Sequence, residues 1–357
     1  MTAPRSGRQV EQAHYGALMQ EKKLNQNRTT REEFALITGK SNPALAQKVA
    51  DILDTELIKS VGVPKFPNGE LDIQIAKSVR KLPAVIMQAA TPGHVNDNVL
   101  EVCLLLDALR AASSGERTVF FSPFPYERKD RQDNQQSKKA TRQSIAARLM
   151  MQLMQTAGAD RFQALDLHLI QETGFTTLPF DPMYASKIFV PYLKDKLPEG
   201  KKIVLSPDGG GVNRVQKYNE FLQLNGFAFG YKTRGPDGAD LHGIMGDVKG
   251  AHVLLIDDVI STGGSIVKAA KLAHTQGALS VTVVATHGQF INERGKVPSL
   301  QQLDQAGIER IYVTDTLKHR KEVVNHHLIE IVSVAPLVAD MVRTAALGHN
   351  SIHDFSE

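Results

Sequence analysis

Two adjacent carboxylates stand beside a glycine-rich turn in VLLIDDVISTGGSIVKAA, residues 253 to 270. Asp257 and Asp258 end an apolar run that predicts a buried strand, and the turn leads into a run that predicts an amphipathic helix. Glycine amides, hydroxyls and the positive end of a helix together favour a bound phosphate. The carboxylates would repel that phosphate, so we expect them to bind neutral sugar hydroxyls, directly or through a divalent cation. Phosphate at one end and neighbouring hydroxyls at the other indicate a ribose 5-phosphate site.

This strand, acidic pair and turn resemble the phosphoribosyl-diphosphate motif of two families, the type I phosphoribosyltransferases and the ribose-phosphate diphosphokinases. The first family uses a base as the other substrate, and the second uses ATP. The resemblance implies that Asp257 and Asp258 hold the ring hydroxyls of the ribose. It also implies that the turn binds the 5-phosphate through its five residues, which are Ser261, Thr262, Gly263, Gly264 and Ser265.

The stretch KFPNGELDIQI, residues 65 to 75, resembles the adenine-binding element of the diphosphokinases. That resemblance implies that Phe66 stacks on adenine and that Asn68 and Glu70 bind its amino edge. Asn68 stands where the family more often has Asp. The residues themselves predict a tight turn, because Asn-Gly between extended runs favours one, and such a turn is compatible with a ligand loop.

The stretch FSPFPYERKDRQ, residues 121 to 132, resembles the diphosphokinase loop that contacts the phosphates of ATP. The implied ATP-binding residues are Arg128, Lys129 and Asp130, with Lys129 in place of the usual glutamine. Residues 126 to 143 contain six basic and three acidic side chains, and this net charge of +3 is most of the +4 of the whole chain. Beside a nucleotide site, we expect such an excess to attract polyphosphate.

Two further stretches match the diphosphokinase pattern in the expected order. In ALDLHLIQETGF, residues 164 to 175, the resemblance implies that His168 contacts the phosphates of ATP and coordinates Mg²⁺. In VLSPDGGGVNRVQK, residues 204 to 217, it implies that Asp208 binds Mg²⁺. The implied cofactor is therefore Mg²⁺, with His168 and Asp208 as its protein ligands.

Residues 231 to 250, YKTRGPDGADLHGIMGDVKG, stand where the family has a flexible catalytic loop. The resemblance implies that Lys232 and Arg234 are catalytic, together with His168. Two cations on a closing loop suit phosphoryl-group chemistry, because they can neutralise the charge of a triphosphate.

Strand-like apolar runs alternate with helix-like runs from Phe34 onward. This alternation predicts an α/β protein with parallel sheets covered on both faces. The resemblance implies two tandem type I phosphoribosyltransferase-like domains, each a mainly parallel sheet flanked by helices. We expect an N-terminal extension at 1–33, an N-terminal domain with the ATP loops at 34–180, a C-terminal domain with the ribose-phosphate site at 181–345 and a tail at 346–357.

The matches together imply Mg²⁺-dependent transfer of the diphosphoryl group of ATP to ribose 5-phosphate, which gives phosphoribosyl diphosphate and AMP. One alternative changes the acceptor to a substituted ribose such as ADP-ribose, because the turn at 261–265 and the loop at 126–143 depart from common bacterial versions. A second alternative is a non-catalytic regulatory subunit of the family. A third is a phosphoribosyltransferase proper, which explains neither the doubled architecture nor the adenine element.

The composition is that of a soluble protein with two domains of ordinary size. The chain has 357 residues, of which 42% are hydrophobic and 22% charged, values typical of globular proteins. A net charge of +4 does not indicate nucleic acid as a partner. The single cysteine, Cys103, lies in an apolar helix-like run and is expected to be a core thiol.

The sequence gives no signal for a membrane or for export. No run reaches the ~20 apolar residues of a membrane span. The N-terminus lacks the apolar centre of a signal peptide. We therefore expect a cytoplasmic protein with no membrane partner. By resemblance, we also expect a homo-oligomer built from dimers, such as a hexamer.

Overall fold

The structure, a computed structural model, describes residues 33–60, 65–132, 142–235, 238–292 and 299–348, with the side chains of 232–242 left out. Within these ranges the chain forms two sheets, each flanked by helices, which confirms the predicted α/β architecture. The expected extension at 1–33 lies outside the described residues except for its last position. The expected tail lies outside them beyond residue 348.

The first sheet is entirely parallel. Its strands are β1 (Ala35–Thr38), β2 (Leu57–Lys59), β3 (Ala84–Gln88), β4 (Arg117–Phe121), β5 (Arg161–Leu165) and β6 (Phe180–Met183). Their order across the sheet is β2-β1-β3-β4-β5-β6. All carboxyl ends therefore lie at one edge, where ligands gather in open sheets of this kind. The predicted boundary at 180/181 falls within β6, and the domain limits stay predictions.

The second sheet is parallel except for one edge strand. Its strands are β7 (Lys202–Ser206), β8 (Phe227–Gly235), β9 (Gly238–Met245), β10 (His252–Ile260), β11 (Ser280–Gly288), β12 (Ile308–Thr314) and β13 (Ile329–Val332). Their order is β13-β12-β11-β10-β7-β8-β9, and β9 runs antiparallel to β8. The region expected to be a catalytic loop is thus a paired hairpin in this structure.

Helices connect the strands and cover both sheets. They are α1 (Pro43–Leu53), α2 (Val95–Ala111), α3 (Ala146–Ala157), α4 (Ser186–Leu193), α5 (Val212–Leu222), α6 (Gly264–Thr275), α7 (Ser299–Asp304), α8 (Lys321–Val324) and α9 (Ala335–Leu347). The start of α1 follows from its sequence, since Asn42 caps the Leu45 amide and Pro43 occupies the first turn, where proline's missing N–H costs nothing.

Apolar side chains of the central strands pack against the helices. In the first half, Ile86, Val119 and Phe162 are fully buried against α2 and α3. Cys103 of α2 lies half-buried against the same core, and burial raises the pKa of its thiol. This environment is that of an unreactive packing residue, because only the thiolate is nucleophilic.

The last helix joins the two halves. Val338 and Val342 of α9 are fully buried in one cluster with Ala46 and Val49 of α1. The amide of Gln163 in β5 donates to the carbonyl of Met341 at 3.0 Å. The C-terminal helix therefore completes the core of the N-terminal sheet. Among the described residues, no helix has both the length and the apolar character needed to cross a membrane.

Candidate active site

The acidic pair occupies a gap in the second sheet. Strand β10 pairs with β7 only as far as Leu255, whereas its pairing with β11 continues to Ile260. Asp257 and Asp258 lie in the segment where β10 has lost its neighbour on one side. The strand thus runs past the predicted end at the acidic pair, and the ending of β7 opens the sheet instead.

The turn after β10 has the backbone of an anion site. Gly263 adopts a left-handed φ of 80°, and a Cβ there would lie 3.5 Å from Leu303, so a side chain would be strained. Helix α6 begins at Gly264, and the first amides of a helix have no partner within it. Ser265 is exposed, and Ser261 and Thr262 are half-buried. Phosphate binding by these residues stays a prediction that this geometry suits.

A hydrogen bond joins the two halves of the molecule at the acidic pair. His168 follows β5 of the first sheet, and its Nδ1 lies 2.9 Å from Asp258 Oδ2 of the second sheet. The bond to Asp258 raises the pKa of His168, against the opposing effect of burial. Because a carboxylate only accepts, Nδ1 carries the proton and Nε2 is left as the ring's other ligand atom.

The two aspartates differ in how readily they ionise. Burial opposes charge on Asp258, but the hydrogen bond from His168 and the nearby Arg214 lower its pKa below the usual range. Burial and the charge of Asp258 raise the pKa of Asp257 well above its usual value. Arg214 Nη1 lies 3.5 Å from Asp258 Oδ1 and 3.8 Å from Asp257 Oδ1. The two pKa values are therefore shifted in opposite directions, and Asp258 ionises more readily than Asp257.

Asp208 stands at the same edge, two residues beyond β7. Its Oδ1 accepts from the Gly210 amide at 3.0 Å, and its charge contributes to the raised pKa of Asp257. His168, Asp208 and the acidic pair thus lie at the same edge of the second sheet. Carboxylates and an imidazole are ligand types that a divalent cation accepts in proteins. Coordination of Mg²⁺ by His168 and Asp208 stays a prediction.

The predicted ATP-phosphate loop lies beside His168. Arg128 and Lys129 are exposed and Asp130 is half-buried. The charge of Arg128 opposes protonation of His168, so the two side chains are near neighbours. Residues 133–141, which carry part of the predicted basic excess, lie outside the described residues.

The predicted adenine element forms a tight turn. The Phe66 amide donates to the Glu70 carbonyl at 2.8 Å, and the Glu70 amide donates to Asn68 Oδ1 at 3.2 Å. The ring of Phe66 is 45% exposed, which leaves a face open for stacking. Among the described residues, no hydrogen bond or ion pair joins this turn to His168. Lys65, which directly precedes Phe66, forms an ion pair with Asp97 in the first turn of α2.

Lys232 and Arg234 lie on β8, opposite Leu241 and Ala239 of β9. Their side chains are outside the described part of the structure. The backbone shows where the hairpin of β8 and β9 lies, because β8 pairs with β7 only as far as Phe229. The hairpin therefore extends past the end of β7, toward the edge where Asp208 and the acidic pair lie.

Comparison with known proteins decides the family. A family model for the N-terminal domain of ribose phosphate pyrophosphokinase matches residues 34–158, and one for the phosphoribosyl synthetase-associated domain matches residues 239–353. A ribose-phosphate pyrophosphokinase of Mycobacterium tuberculosis (strain ATCC 25618 / H37Rv) is 35% identical over 316 residues, which are 88% of this chain and 93% of that protein. The chain belongs to the ribose-phosphate pyrophosphokinase family.

Other members of the ribose-phosphate pyrophosphokinase family agree. Ribose-phosphate pyrophosphokinase A of Dictyostelium discoideum is 30% identical over 328 residues, 91% of this chain and 99% of that protein. The crystal structure of phosphoribosylpyrophosphate synthetase from Mycobacterium smegmatis matches with a TM-score of 0.79 and 33% identity, over 88% of this chain and 98% of that one. The resemblance drawn from the sequence and the tandem phosphoribosyltransferase-like fold are both confirmed.

Two buried glutamates of this family member were missed by the sequence reasoning. Glu127 and Glu172 are 6% and 1% exposed, and three of their four carboxyl oxygens have no hydrogen-bond partner. Burial, Asp258 and Glu172 raise the pKa of Glu127 well above its usual value. The available signal was Glu127 itself, which stands where the family pattern of this loop, YARQDR, has alanine. Glu127 directly precedes Arg128 in this loop, and the effect of Glu172 on its pKa places the two glutamates near each other.

Glu172 predicts a stability that depends on pH. Burial raises its pKa from 4.5 to about 8, so between these values the folded chain binds more protons than the unfolded chain. The stabilising effect of the bound proton is complete below the unfolded pKa and is lost as pH rises through the folded pKa. Glu172→Gln keeps the neutral shape, so it should raise the melting temperature little near about pH 5 and by about 2–6 °C near about pH 8.5.

Thermal unfolding without Mg²⁺ or nucleotide measures this effect. Glu309→Gln is the matched control, because Glu309 is an exposed glutamate on β12 and its replacement should leave the difference between the two pH values unchanged. An equal shift of the Glu172→Gln protein at both pH values would contradict the assignment.

Hydrogen bonds of Asp166 and His287 connect the two halves of the molecule. Asp166 precedes His168 by two residues and has a left-handed φ of 44°. Its Oδ2 accepts from the Ala185 amide at 3.0 Å and from the hydroxyl of Thr286 on β11. His287, also on β11, is fully buried and lies 3.1 Å from the Leu165 carbonyl through Nε2. These bonds hold the segment of His168 against the second sheet.

Proposed function

We propose that this chain transfers the β,γ-diphosphoryl group of ATP to the anomeric hydroxyl of ribose 5-phosphate. The products are 5-phosphoribosyl 1-diphosphate and AMP. One observation carries the proposal, the 2.9 Å hydrogen bond between His168 and Asp258. It brings the predicted nucleotide half and the predicted ribose half to a single place, as a transfer between two substrates needs.

The ribose end is built from the second half of the chain. Asp258, which ionises more readily than Asp257, accepts hydrogen bonds from ring hydroxyls, and Asp257 adds a second oxygen site beside it. Thr262 and the amides at the start of α6 bind the 5-phosphate, together with the hydroxyls of Ser261 and Ser265. Because the carboxylates bind the hydroxyls and the amides bind the phosphate, the sugar binds in a single orientation.

The nucleotide end uses the first half and the hairpin. Arg128 and Lys129 contact the phosphates, and Asp130 is the third ATP-binding residue of their loop. Phe66 stacks on adenine, and Asn68 and Glu70 bind its amino edge. His168 and Asp208 would hold Mg²⁺, and His168 would use Nε2, because its Nδ1 bonds Asp258. Bound Mg²⁺ would supply positive charge to the phosphate oxygens.

For this reaction the protein has to position the two substrates and stabilise negative charge. The anomeric oxygen forms a bond to the β-phosphorus as the bond from that phosphorus to the oxygen of the α-phosphate breaks, and the hydroxyl proton is released. Asp258 and the phosphate cradle orient the sugar oxygen for in-line attack. Lys232, Arg234 and Arg128 stabilise the negative charge that spreads over the phosphate oxygens in the transition state.

A homo-oligomer is part of the proposal. The adenine element shares no hydrogen bond or ion pair with His168 among the described residues. In the proposed oligomer, a second copy contributes to the nucleotide site. Helices α2 and α3 also carry an exposed apolar surface, formed by Leu100, Leu104, Leu149 and Leu153. An exposed patch of apolar side chains often marks a contact with another protein chain. The mass of the protein in solution distinguishes a dimer from a hexamer.

A product assay tests the function. Purified protein, ATP and Mg²⁺ are mixed with ribose 5-phosphate in one tube, with ADP-ribose in a second and with no acceptor in a third, and products are identified by mass. We expect AMP and phosphoribosyl diphosphate in the first tube alone. AMP in the second tube alone would make the acceptor a substituted ribose. No AMP in any tube would make the chain a regulatory subunit.

A further inference from the structure

A cluster of metal-ligating side chains lies outside the candidate active site. Asp304 ends α7, and His326 and His327 occupy the turn between α8 and β13. Strand β12 begins at Ile308 and β13 at Ile329, so the cluster lies where these strands begin. The acidic pair and Asp208 lie at the other edge, where strands end. The cluster and the substrates therefore occupy opposite ends of the sheet.

Two imidazole nitrogens converge on one carboxylate oxygen. Asp304 Oδ1 lies 3.3 Å from His326 Nε2 and 3.7 Å from His327 Nε2. The three ligand atoms all lie within 4.8 Å of one another, the only such group of three among the described histidines, cysteines and carboxylates. Ligand atoms around a tetrahedral zinc ion, at bonds of about 2.0–2.2 Å, are separated by about 3.3–3.5 Å. The two separations from Asp304 are therefore close to the tetrahedral value, and movement of the exposed His327 ring would adjust the separation of the two nitrogens.

The backbone holds the cluster and leaves it open on one side. The side chain of His326 is only 12% exposed, and its Nδ1 faces the Leu328 amide at 3.4 Å. His327 stacks on it with ring centres 4.9 Å apart, and its carbonyl accepts from Arg310 at 3.0 Å. His327 is 73% exposed, so its ring can adjust and solvent can supply a fourth ligand.

We propose that Asp304, His326 and His327 form a binding site for a transition-metal dication such as Zn²⁺. Two imidazoles and one carboxylate suit zinc, cobalt, nickel or copper, whereas Mg²⁺ and Ca²⁺ prefer oxygen ligands. Binding moves the proton of His326 from Nε2 to Nδ1, which displaces only the long contact to the Leu328 amide. The simpler interpretation is that both imidazoles face Asp304 through attraction to its carboxylate alone, and metal titration distinguishes that arrangement from a metal site.

The position of the site suggests what a bound ion would do. It would link the end of α7 to the turn that begins the edge strand β13. Leu303, next to Asp304, is fully buried and packs beside Gly263 of the phosphate turn. An ion that binds only the folded chain stabilises it by mass action. At saturation, we expect the melting temperature to rise by about 3–6 °C.

Calorimetric titration of the full chain with Zn²⁺ tests the site directly. His327→Ala should weaken one class of sites by about 100-fold or more, because a missing ligand costs at least as much as a missing supporting contact. It should also abolish the Zn²⁺-dependent rise in melting temperature. His327 is mostly exposed, so this variant should fold, and its melting temperature without metal checks that. His94→Asn, which alters an exposed histidine before α2, is the matched control.

Cobalt separates this site from metal binding at His168. Wild-type protein loaded with Co²⁺ should show the visible absorption of tetrahedral cobalt, and Asp304→Asn and His327→Ala should both lose it. His168→Asn should keep it. The proposal is overturned if His327→Ala binds Zn²⁺ as wild type does. It is also overturned if the cobalt spectrum survives both cluster substitutions, because the histidines then form only an ion pair with Asp304.

Discussion

Asp258→Asn is expected to lower kcat/KM by about 10³-fold, whereas Asp257→Asn should lower it by about 10-fold. The asymmetry follows from the charge states of the pair. Asp257 ionises less readily than Asp258 because burial and the charge of Asp258 raise its pKa, so a neutral amide resembles Asp257 more closely. Asp258 carries the charge that accepts from His168, and an amide removes that charge.

Loss of folding would not explain the Asp258→Asn result. Arg214 keeps Asp257 as a second carboxylate at 3.8 Å, and Asp257 is free to ionise once its neighbour is neutral. The buried guanidinium therefore keeps a partner, and the melting temperature should change by less than about 4 °C. Steady-state kinetics with both substrates and thermal unfolding measure the two effects.

The state of His168 provides a readout that is independent of turnover. Its pKa is raised mainly by the hydrogen bond to Asp258, so Asp258→Asn should lower that pKa and Asp257→Asn should leave it higher. Titration of the ring protons by NMR follows this directly. Equal losses of activity in the two variants, with no change at His168, would mean that the pair shares its charge.

Local patterns predict most of the strands and helices. The run before Asp257 is apolar because β10 is buried between β7 and β11, and the caps of α1 are visible as Asn42 and Pro43. The hairpin of β8 and β9 is less visible, since the glycines and prolines of this segment also suit a loop. The packing of α9 on α1 is set by contacts almost 300 residues apart in sequence, which no periodicity encodes.

The residues of the candidate site also differ in how far the sequence alone reveals them. Asp257, Asp258 and the turn after them carry a local signal, because acidic and glycine-rich residues at the end of a strand are chemically unusual. The partner of Asp258 lies 90 residues away, and only the family resemblance places His168 in the same pocket. The sequence alone does not identify Arg214, Glu127 and Glu172 as site residues. Their roles depend on burial, which cannot be predicted for a single charged residue.

Lys232→Ala and Arg234→Ala are each expected to lower kcat by about 10²–10³-fold, with a much smaller change in ATP binding. One residue, Thr233, separates the two positions on β8, so they fall on the same face of the strand. Strand β8 continues beyond its last pairing with β7 at Phe229, so the hairpin reaches over the edge that carries Asp208. Charge placed there acts where negative charge increases during transfer.

The balance between kcat and KM decides the role of the hairpin. A cation that stabilises only the transition state lowers kcat and kcat/KM together, whereas one that binds ground-state ATP raises KM alone. If both cations act on the same phosphate oxygens, the double variant should lose less than the product of the two single losses. Lys271→Ala on the exposed side of α6 is the control for a general loss of positive charge. An unchanged kcat with a raised KM for ATP would make the hairpin a nucleotide-binding element and leave Arg128 and Mg²⁺ to stabilise the transition state.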